Sequence, residues 1–247
     1  HEYAAGLAAV TVGKARRLPV VVSEYCGDFL RGSLRRRDIH KARFALNRAD
    51  AVLPVGEELR EALRAAGVRS RMEIVPNTVD TALFHPGPPP GPEEEGRAKI
   101  LLVALLREGK GIPVLLEALA ALKRKRRDFL LQVAGEGPEG ERYRSLSRAL
   151  GLPGEVSFLG MKTRPEVAEL IRGSAFVVQP SLCETFGVAA IEAMACGKPL
   201  VVSRLPAFER TGSPERGVLV PPGDPAALAA ALDLMLDRRS EYCPERI

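Results

Sequence analysis

Short apolar runs alternate with helix-like segments through the second half of the chain, and this alternation restricts the fold more than any other feature. Six runs of strand length lie near 99–105, 128–134, 155–159, 175–179, 199–202 and 217–220. Helical patterns fill the gaps, at about 112–122, 139–150, 164–172, 187–196 and 225–237. Because strands joined by crossover helices pair in parallel, this half is expected to form a doubly wound α/β sheet. Ligands of such sheets bind beyond the carboxyl ends of the strands.

The first 85 residues repeat the alternation with fewer strands. Apolar runs of strand length occur there at Leu18–Ser23, Ala51–Val55 and Met72–Val75. Helical patterns cover residues 3–17, 34–48 and 57–66. The same reasoning predicts a second, smaller parallel-sheet domain in this half.

A proline-rich segment separates the two halves. Between Pro86 and Gly96 the chain reads P-G-P-P-P-G-P-E-E-E-G. Because no packed element uses that many prolines, a stiff solvated linker is expected at 86–97. The predicted domains are therefore 1–85 and 98–237, and a C-terminal tail is expected to start within 238–247.

Composition disfavours several classes of function. The chain has 247 residues and 46% hydrophobic content, and its longest apolar run, Ile100–Leu106, has the length of a strand rather than of a membrane span. The histidines, His1, His40 and His85, are too scattered for a zinc site or a Ser-His-Asp hydrolase. No D-x-D occurs, which disfavours sugar transferases that clamp a metal. We therefore expect neither a metal site nor a cofactor.

The cysteines and the first residues bear on location. The four cysteines share no C-x-x-C spacing, and no basic-then-apolar leader follows His1. These features predict a reduced, cytoplasmic setting without a secretory signal.

Basic residues are densest between Arg31 and Arg48, within a net charge of +5. A solvated helix face is the ordinary explanation of such a segment. The functional alternative is attraction to an anionic membrane surface, which would make the protein membrane-peripheral, or to a phosphorylated acceptor. Nucleic acid is not expected as a partner, because aromatic residues are 5% and Trp is absent.

The stretch from Gln179 to Ser203 reads Q-P-S-L-C-E-T-F-G-V-A-A-I-E-A-M-A-C-G-K-P-L-V-V-S. It predicts a strand end, a tight loop, a helix and the next strand. The first turn of a helix carries backbone N–H groups and partial positive charge that suit a phosphate. The candidate donors are the backbone amides of Phe186, Gly187 and Val188. Taken alone, Glu184 could complement the helix dipole and Glu192 could be a solvated helix residue.

Taken whole, this stretch resembles the motif of retaining glycosyltransferases of family four, the group one enzymes. Glu184 and Glu192 match the E-x7-E pair of that family, and a small-residue helix and a G-x-P strand start follow them. The resemblance covers about residues 1–237. It implies an α/β fold of the GT-B type with two Rossmann-like parallel-sheet domains. Relative to the family, the N-terminal domain is expected to be incomplete and the chain to be truncated at both ends.

The resemblance assigns roles to further residues. Glu184 would contact the transferred sugar as the candidate catalytic residue, and Glu192 would accept hydrogen bonds from the donor ribose. Two mechanisms stay open: Glu184 as acid–base or nucleophile of a two-carboxylate mechanism, or same-face attack with the leaving phosphate as the base, which the family favours. Lys110 matches the lysine that binds the diphosphate in the G-R-L-x-x-x-K-G loop of the family. The turn at Gly135 matches the family's G-x-G-P turn, and the backbone near Met161 would meet the nucleobase.

The chain departs from the family at several positions. Leu105 stands where the family has the phosphate-binding arginine, and we expect Arg107 to reach that phosphate instead. Tyr25 stands on the acceptor side where a histidine is common. The G-G-x-x-E stretch is here Leu205–Glu209, without either glycine. These departures leave a non-catalytic nucleotide-binding module as the alternative reading.

The reaction implied by the resemblance is transfer of a hexose or N-acetylhexosamine, with retention and without a metal. The donor would be a nucleotide-diphosphate sugar, and the acceptor a glycan, a lipid or a small molecule. As a fragment, the chain itself is expected to be inactive. A sugar phosphorylase or an epimerase on the same architecture is the other enzyme class that the residues leave open.

Overall fold

The computed structural model describes residues 2–87, 96–209, 216–242 and 247. By packing, the chain divides into two compact units. The first unit contains His1–Thr78 together with the short segment Cys183–Phe186. The second contains Val79–Leu182 and Gly187–Ile247.

The first unit contains two parallel strands and four helices among its described residues. β1 pairs with β2 in register from Val21 opposite Ala51 to Glu24 opposite Pro54. The elements are α1 (Glu2–Arg16), β1 (Val21–Glu24), α2 (Asp28–Arg31), α3 (Arg36–Leu46), β2 (Ala51–Pro54) and α4 (Glu57–Ala65). Buried apolar side chains of α3, α4 and both strands form the core of this unit, with Leu46, Val52 and Leu63 at its centre.

The predicted third strand of this unit, Met72–Val75, is wrong as a strand. Its backbone runs beside β2, and the Glu73 N–H donates to the Val52 carbonyl at 3.1 Å, but only Val52 and Met72 form a bridge. The side chains of Ile74 and Val75 are exposed, so little packing stabilises an extended edge there. Pro76 then lacks the backbone N–H that a continuing ladder needs.

The second unit is built on a six-stranded parallel sheet in the order β5-β4-β3-β6-β7-β8. Its strands are β3 (Ala98–Val103), β4 (Phe129–Ala134), β5 (Val156–Gly160), β6 (Phe176–Gln179), β7 (Leu200–Ser203) and β8 (Gly217–Val220). Its helices are α5 (Ile112–Lys123), α6 (Gly140–Ala149), α7 (Arg164–Gly173), α8 (Val188–Ala195), α9 (Pro206–Glu209) and α10 (Pro225–Arg238), followed by a 3₁₀ turn at Arg239–Glu241. Each of the six strands predicted in this half is present, which confirms the α/β class.

Two apolar cores cover the two faces of this sheet. One contains α5 and α10, packed with Ile100, Leu102 and Phe176. The other contains α7 and α8, packed with Leu101 and Val177. Because neighbouring residues of β3 enter opposite cores, the strand is buried on both faces, as parallel strands between helix layers are.

The second unit begins before the predicted limit between the two domains. Val79, Leu83 and Phe84 pack into the second core, seven or fewer residues before the predicted limit at 85. The predicted domains 1–85 and 98–237 stay predictions. Most of the predicted linker 86–97 and much of the predicted tail lie outside the described residues. Among the helices that are described, none combines the length and apolar character that a bilayer crossing requires.

Candidate functional site

The order of the strands selects one edge of the second sheet. β3 pairs with β4 on one side and with β6 on the other. From β3 to β5 the strands are added on one side of β3, and from β6 to β8 on the other side, so the strand order reverses between β3 and β6. Ligands of open α/β sheets bind at such a switch point, beyond the carboxyl ends of the strands. The two loops that leave this point are residues 104–111 and 180–187, and both carry predicted site residues.

Backbone contacts hold these two loops together. The Leu182 N–H donates to the Gly109 carbonyl at 2.8 Å. Gly111 has φ +66°, and a Cβ at this position would lie 1.8 Å from the Pro180 carbonyl oxygen. A side chain is therefore excluded at 111 both by the backbone conformation and by the neighbouring loop. The glycines of the G-K-G sequence thus fix the backbone on either side of Lys110.

The charged residues of the 104–111 loop differ in exposure. Lys110 is half-buried and its N–H donates to the Arg107 carbonyl at 3.4 Å, which closes a turn. Arg107, Glu108 and the aliphatic Leu105 are exposed. Leu106 points the other way and is fully buried in the core. The loop therefore holds one cation close to the sheet edge and a second one in solvent.

Gly135 lies between the loops that follow β3 and β5. Its N–H donates to the Gly160 carbonyl at 2.8 Å, and a Cβ on it would lie 2.0 Å from the Ala104 carbonyl oxygen. A Cβ on Gly137, two residues on, would lie 2.4 Å from the Leu106 carbonyl oxygen. The G-E-G turn therefore joins three loops into one continuous backbone surface at the carboxyl edge.

The loop after β5 presents Met161 to solvent, with 64% of the residue exposed. Lys162 lies beside Glu166, with 3.5 Å between Nζ and Oε1. Thr163 then begins α7 with a capping box, in which its side chain and that of Glu166 each accept from the other's backbone N–H. This reciprocal cap fixes the direction in which α7 leaves the loop.

The N-terminus of α8 is set by Gly187. This residue has φ +79°, and a Cβ on it would lie 2.2 Å from the ring of the fully buried Phe208. The first helical residue, Val188, is 38% exposed, whereas Gly187 and Ala190 are buried, so the N-terminus of the helix is open to solvent at Val188. Its backbone amides have the orientation and partial charge that favour an anion.

Glu192 lies one turn further along α8 and is only 8% exposed. Its Oε1 lies 3.4 Å from Nη2 of Arg164 on α7. Burial raises the pKa of the Glu192 carboxyl, and the nearby Arg164 guanidinium acts in the opposite direction. The Glu192 carboxylate therefore lies in a nearly buried environment beside one cation, Arg164. An ordinary solvated helix residue would be exposed instead.

Three predicted site residues belong with the first unit. Tyr25 follows β1, and its N–H donates to the Glu24 carboxylate at 3.1 Å. Glu184 accepts from the Thr185 N–H at 3.2 Å, and Phe186 packs against the first core. In the second unit, the carboxyl edge of the sheet carries the other predicted residues, which are Arg107, Lys110, Gly135, Met161, Gly187, Val188 and Glu192.

Two residues of this edge were missed by the sequence reasoning. Arg164 approaches Glu192 because the capping box makes it the first residue of α7; the T-x-x-E pattern at 163–166 was the available signal. The Phe208 ring occupies the space where a side chain at position 187 would lie, and no local sequence pattern predicts that contact. Within residues 2–87, 96–209 and 216–242, no three His, Cys, Asp or Glu side chains are grouped so as to hold a metal ion.

Comparison with protein families decides the affiliation. Residues 88–245 match the model of "Glycosyl transferases group 1", and residues 1–83 match that of "Glycosyltransferase Family 4". The first match alone covers more than half of the chain. The chain belongs to the group 1 glycosyltransferases.

Curated members of this glycosyltransferase family share a moderate identity with the chain. It is 32% identical over 191 residues to a D-inositol 3-phosphate glycosyltransferase of Acidothermus cellulolyticus, covering 68% of this chain and 41% of that protein. It is 40% identical over 139 residues to a phosphatidyl-myo-inositol mannosyltransferase of Mycobacterium leprae, covering 56% of this chain and 36% of that protein. The chain therefore spans about two fifths of the length of the curated relatives it matches.

Solved structures show the fold. HepE of Anabaena, in complex with UDP and glucose, superposes with a TM-score of 0.85 at 21% identity, covering 97% of this chain and 68% of that one. Sucrose-phosphate synthase of Thermosynechococcus elongatus superposes with a TM-score of 0.83 at 24% identity, covering 99% and 67%. The fold class predicted from the resemblance, the GT-B type, is confirmed.

Proposed function

We propose that the protein to which this chain belongs is a retaining glycosyltransferase that uses a nucleotide-diphosphate sugar. The observation that carries the proposal is the position of Lys110. It lies between two glycines whose backbone is fixed against Pro180 and Leu182, at the switch point of a doubly wound sheet. A cation fixed there suits a diphosphate bound beyond the strand ends.

The second unit supplies two sources of positive potential for that leaving group. Lys110 is one, and the N-terminus of α8, exposed at Val188, is the other. Departure of a nucleoside diphosphate leaves negative charge on its phosphates, and preorganised donors stabilise that charge most strongly. Arg107 is proposed as an additional cation; its side chain is more exposed than that of Lys110.

The nucleoside end of the donor is assigned to the neighbouring loops. Glu192 would accept hydrogen bonds from the ribose, and the backbone near Met161 would lie against the base. Gly135 would let the donor approach the backbone without a side chain between them. Glu184 is proposed to contact the transferred sugar, and Tyr25 to serve the acceptor; both assignments come from the resemblance.

The acceptor is proposed from the names of the relatives. A D-inositol 3-phosphate glycosyltransferase and a phosphatidyl-myo-inositol mannosyltransferase are similar to this chain. Both names indicate an inositol-bearing acceptor, one a small molecule and the other a lipid. We expect an acceptor among small molecules, lipids or glycans, and a hexose or N-acetylhexosamine as the transferred sugar.

Isothermal titration of the chain with UDP, GDP and ADP tests the nucleotide site. One of the three is expected to bind, and Lys110→Ala is expected to weaken it. Lys125→Ala, beyond the C-terminal end of α5 and paired with Asp233 of α10, is expected to leave binding unchanged. Binding that is equal in both variants, or absent for all three nucleotides in the wild-type chain, would contradict the proposal.

Transfer itself is tested on the longer protein that contains this chain. We expect turnover of a nucleotide sugar to persist in excess EDTA, and the anomeric configuration of the donor to be kept in the product, as read by NMR of the first-formed linkage. Nucleotide binding without any transfer would favour the non-catalytic alternative, and inversion would refute retention. The 247-residue chain alone is expected to transfer little.

A membrane contact is proposed for the basic face of α3, in a protein otherwise expected in the cytoplasm. Arg36, Arg37, Lys41 and Arg43 are exposed along this helix, and the ring of Phe44, 46% exposed, has the Arg48 guanidinium 3.7 Å from its centre. Asp38, which lies 3.7 Å from Lys41, is the acid within the helix. Cations interleaved with an exposed aromatic suit an anionic lipid surface.

Vesicle sedimentation tests this contact. Binding is expected to vesicles that contain phosphatidylserine, to decline with added salt, and to decline in an Arg36→Ser/Arg37→Ser variant. Equal binding to neutral phosphatidylcholine vesicles, or no binding to either kind, would refute it.

A further inference from the structure

We infer that Arg164 is a positioning residue, which holds the Glu192 carboxylate so that the pair selects a ribonucleotide over its 2′-deoxy form. The inference rests on the proposed function, because it takes the nucleotide site of the second unit as given. It concerns a residue that the family motif does not include.

The geometry of the pair comes first. Nη2 of Arg164 lies 3.4 Å from Oε1 of Glu192, and the exposed fractions of the two side chains are 61% and 10%. A largely exposed guanidinium therefore lies beside a carboxylate that is nearly buried. One oxygen faces the arginine, which leaves the second oxygen to accept from a ligand.

The position of Arg164 is itself fixed from two directions. The capping box of Thr163 and Glu166 sets the start of α7, at which Arg164 is the first residue. Its guanidinium also lies over the ring of the fully buried Phe84, with 5.3 Å from Cζ to the ring centre. Arg164 is thus exposed, but its side chain is more restrained than that of an ordinary solvent-facing arginine.

Arg164 also connects two parts of the proposed nucleoside site. It directly follows the Met161–Thr163 loop, which is assigned to the base, and it contacts the acid that is assigned to the ribose. The pair is therefore placed to respond to the sugar and the base of one nucleotide.

The charges around Glu192 explain why a partner is needed. Burial raises the pKa of its carboxyl and Arg164 lowers it. The Glu192 carboxylate in turn acts on the thiol of Cys196, the residue that follows α8, and raises its pKa. Burial also raises the pKa of the Cys196 thiol, so this group is neutral at physiological pH. Without Arg164 the carboxyl would hold its proton to a higher pH and would accept hydrogen bonds more weakly.

Selection for ribose follows from this arrangement. A buried acceptor that is built to take hydrogen bonds from a hydroxyl loses them when the hydroxyl is removed, and the group is then left unpaired. The wild-type chain should therefore bind a ribonucleoside diphosphate at least about tenfold more tightly than its 2′-deoxy form, as a hydrogen bond to a charged group implies. Arg164→Gln should reduce this ratio.

The experiment is calorimetric titration of the chain with UDP, GDP and ADP, each beside its 2′-deoxy form, from pH 5.5 to 8.5. In Arg164→Gln, ribonucleotide affinity should fall as the pH is lowered, because Glu192 becomes protonated, whereas wild-type affinity should change less. Arg164→Lys, which keeps the charge, should restore most of the wild-type profile. Arg172→Gln, on the same helix but paired with Glu169, is the matched control for structural damage.

The outcomes separate the two claims. If the wild-type chain binds none of the nucleotides, the proposed function fails and this inference fails with it. If the wild type binds and Glu192→Gln weakens binding, but Arg164→Gln keeps both the pH profile and the ribose preference, the inference alone is overturned. A loss in Arg164→Gln that Arg172→Gln reproduces in full would also overturn it.

Discussion

The two units are built from the same strand and helix alternation, yet among the described strands a reversal of strand order occurs in the second unit alone. In the second unit, β3 lies between strands that come later in the chain on either side. In the first, the described strands are one parallel pair, β1 and β2. A reversal separates two loops at their common edge and makes room for a ligand. The comparison therefore supports the proposal that the nucleotide binds to the second unit, and each prediction below tests that proposal.

The largest expected effect comes from a pair of glycines, one in each unit. Both Gly111 and Gly32 have positive φ, +66° and +62°, but a Cβ at Gly111 meets the Pro180 carbonyl oxygen, whereas a Cβ at Gly32 meets nothing within 4 Å. Gly111→Ala should cost about 3 kcal/mol, from backbone strain plus overpacking, and should abolish nucleotide binding. Gly32→Ala should cost about 1 kcal/mol, from the strain alone.

Chemical denaturation and nucleotide titration check this pair. Equal costs for the two substitutions would show that the contact between the 104–111 and 180–187 loops does not restrain the backbone. Retained nucleotide affinity in a folded Gly111→Ala variant would separate the loop from the site.

The second effect concerns Lys110. Loss of its ammonium group should weaken a nucleoside diphosphate by about ten- to a hundredfold, which corresponds to one hydrogen bond between charged groups. The nucleoside without phosphates should bind the variant and the wild type equally. Titration with both ligands measures this difference, and a loss that is the same for nucleoside and diphosphate would contradict a phosphate contact.

The third effect is a gain of stability. Since the pKa of Glu192 is raised in the folded chain, ionisation of this group above that pKa disfavours folding. Glu192→Gln should therefore raise the melting temperature by about 2 °C at pH 8, and the gain should shrink as the pH falls to 4. The same variant should bind nucleotide more weakly.

Thermal unfolding at the two pH values, followed by nucleotide titration, measures both consequences. A lower melting temperature at pH 8 would mean that the ion pair with Arg164 outweighs the cost of burial. Unchanged nucleotide affinity would remove Glu192 from the site.

The smallest effect is expected on the exposed face of the first unit. Replacing Arg36 and Arg37 by serine should change the free energy of unfolding by less than about 0.5 kcal/mol per substitution, because both side chains are solvated. Nucleotide affinity should not change at all. Denaturation and titration of this variant check the point, and weaker nucleotide binding would extend the site into the first unit.

Much of this architecture was predictable from the sequence, and the exceptions have physical causes. All six strands of the second sheet could be predicted because each is a short, mostly apolar run between helical patterns. The Met72–Val75 run has the same local pattern as these strands. It does not form a strand because no element packs over Ile74 and Val75, which are exposed, and one sequence does not show that. Strand order could not be derived from periodicity, and without it the convergence of the 104–111 and 180–187 loops was only an expectation.

The site divides in the same way. Lys110, Gly187 and Glu192 could be predicted as site residues because they belong to contiguous motifs with a fixed spacing, and their roles stay predictions. Arg164 and Phe208 act across space on Glu192 and Gly187, and such contacts leave no pattern in one sequence. The grouping of Glu184 and Phe186 with the first unit also required coordinates, since these residues lie between two segments of the second.

Hydrogen–deuterium exchange in the presence and absence of a saturating nucleoside diphosphate tests the central claim most directly, because it reads both units at once. We predict slower amide exchange in residues 104–111 and in the first turn of α8, with no change along β2 and α4 of the first unit. Protection confined to the first unit, or none at the 104–111 loop in a chain shown to bind the nucleotide, would contradict the account.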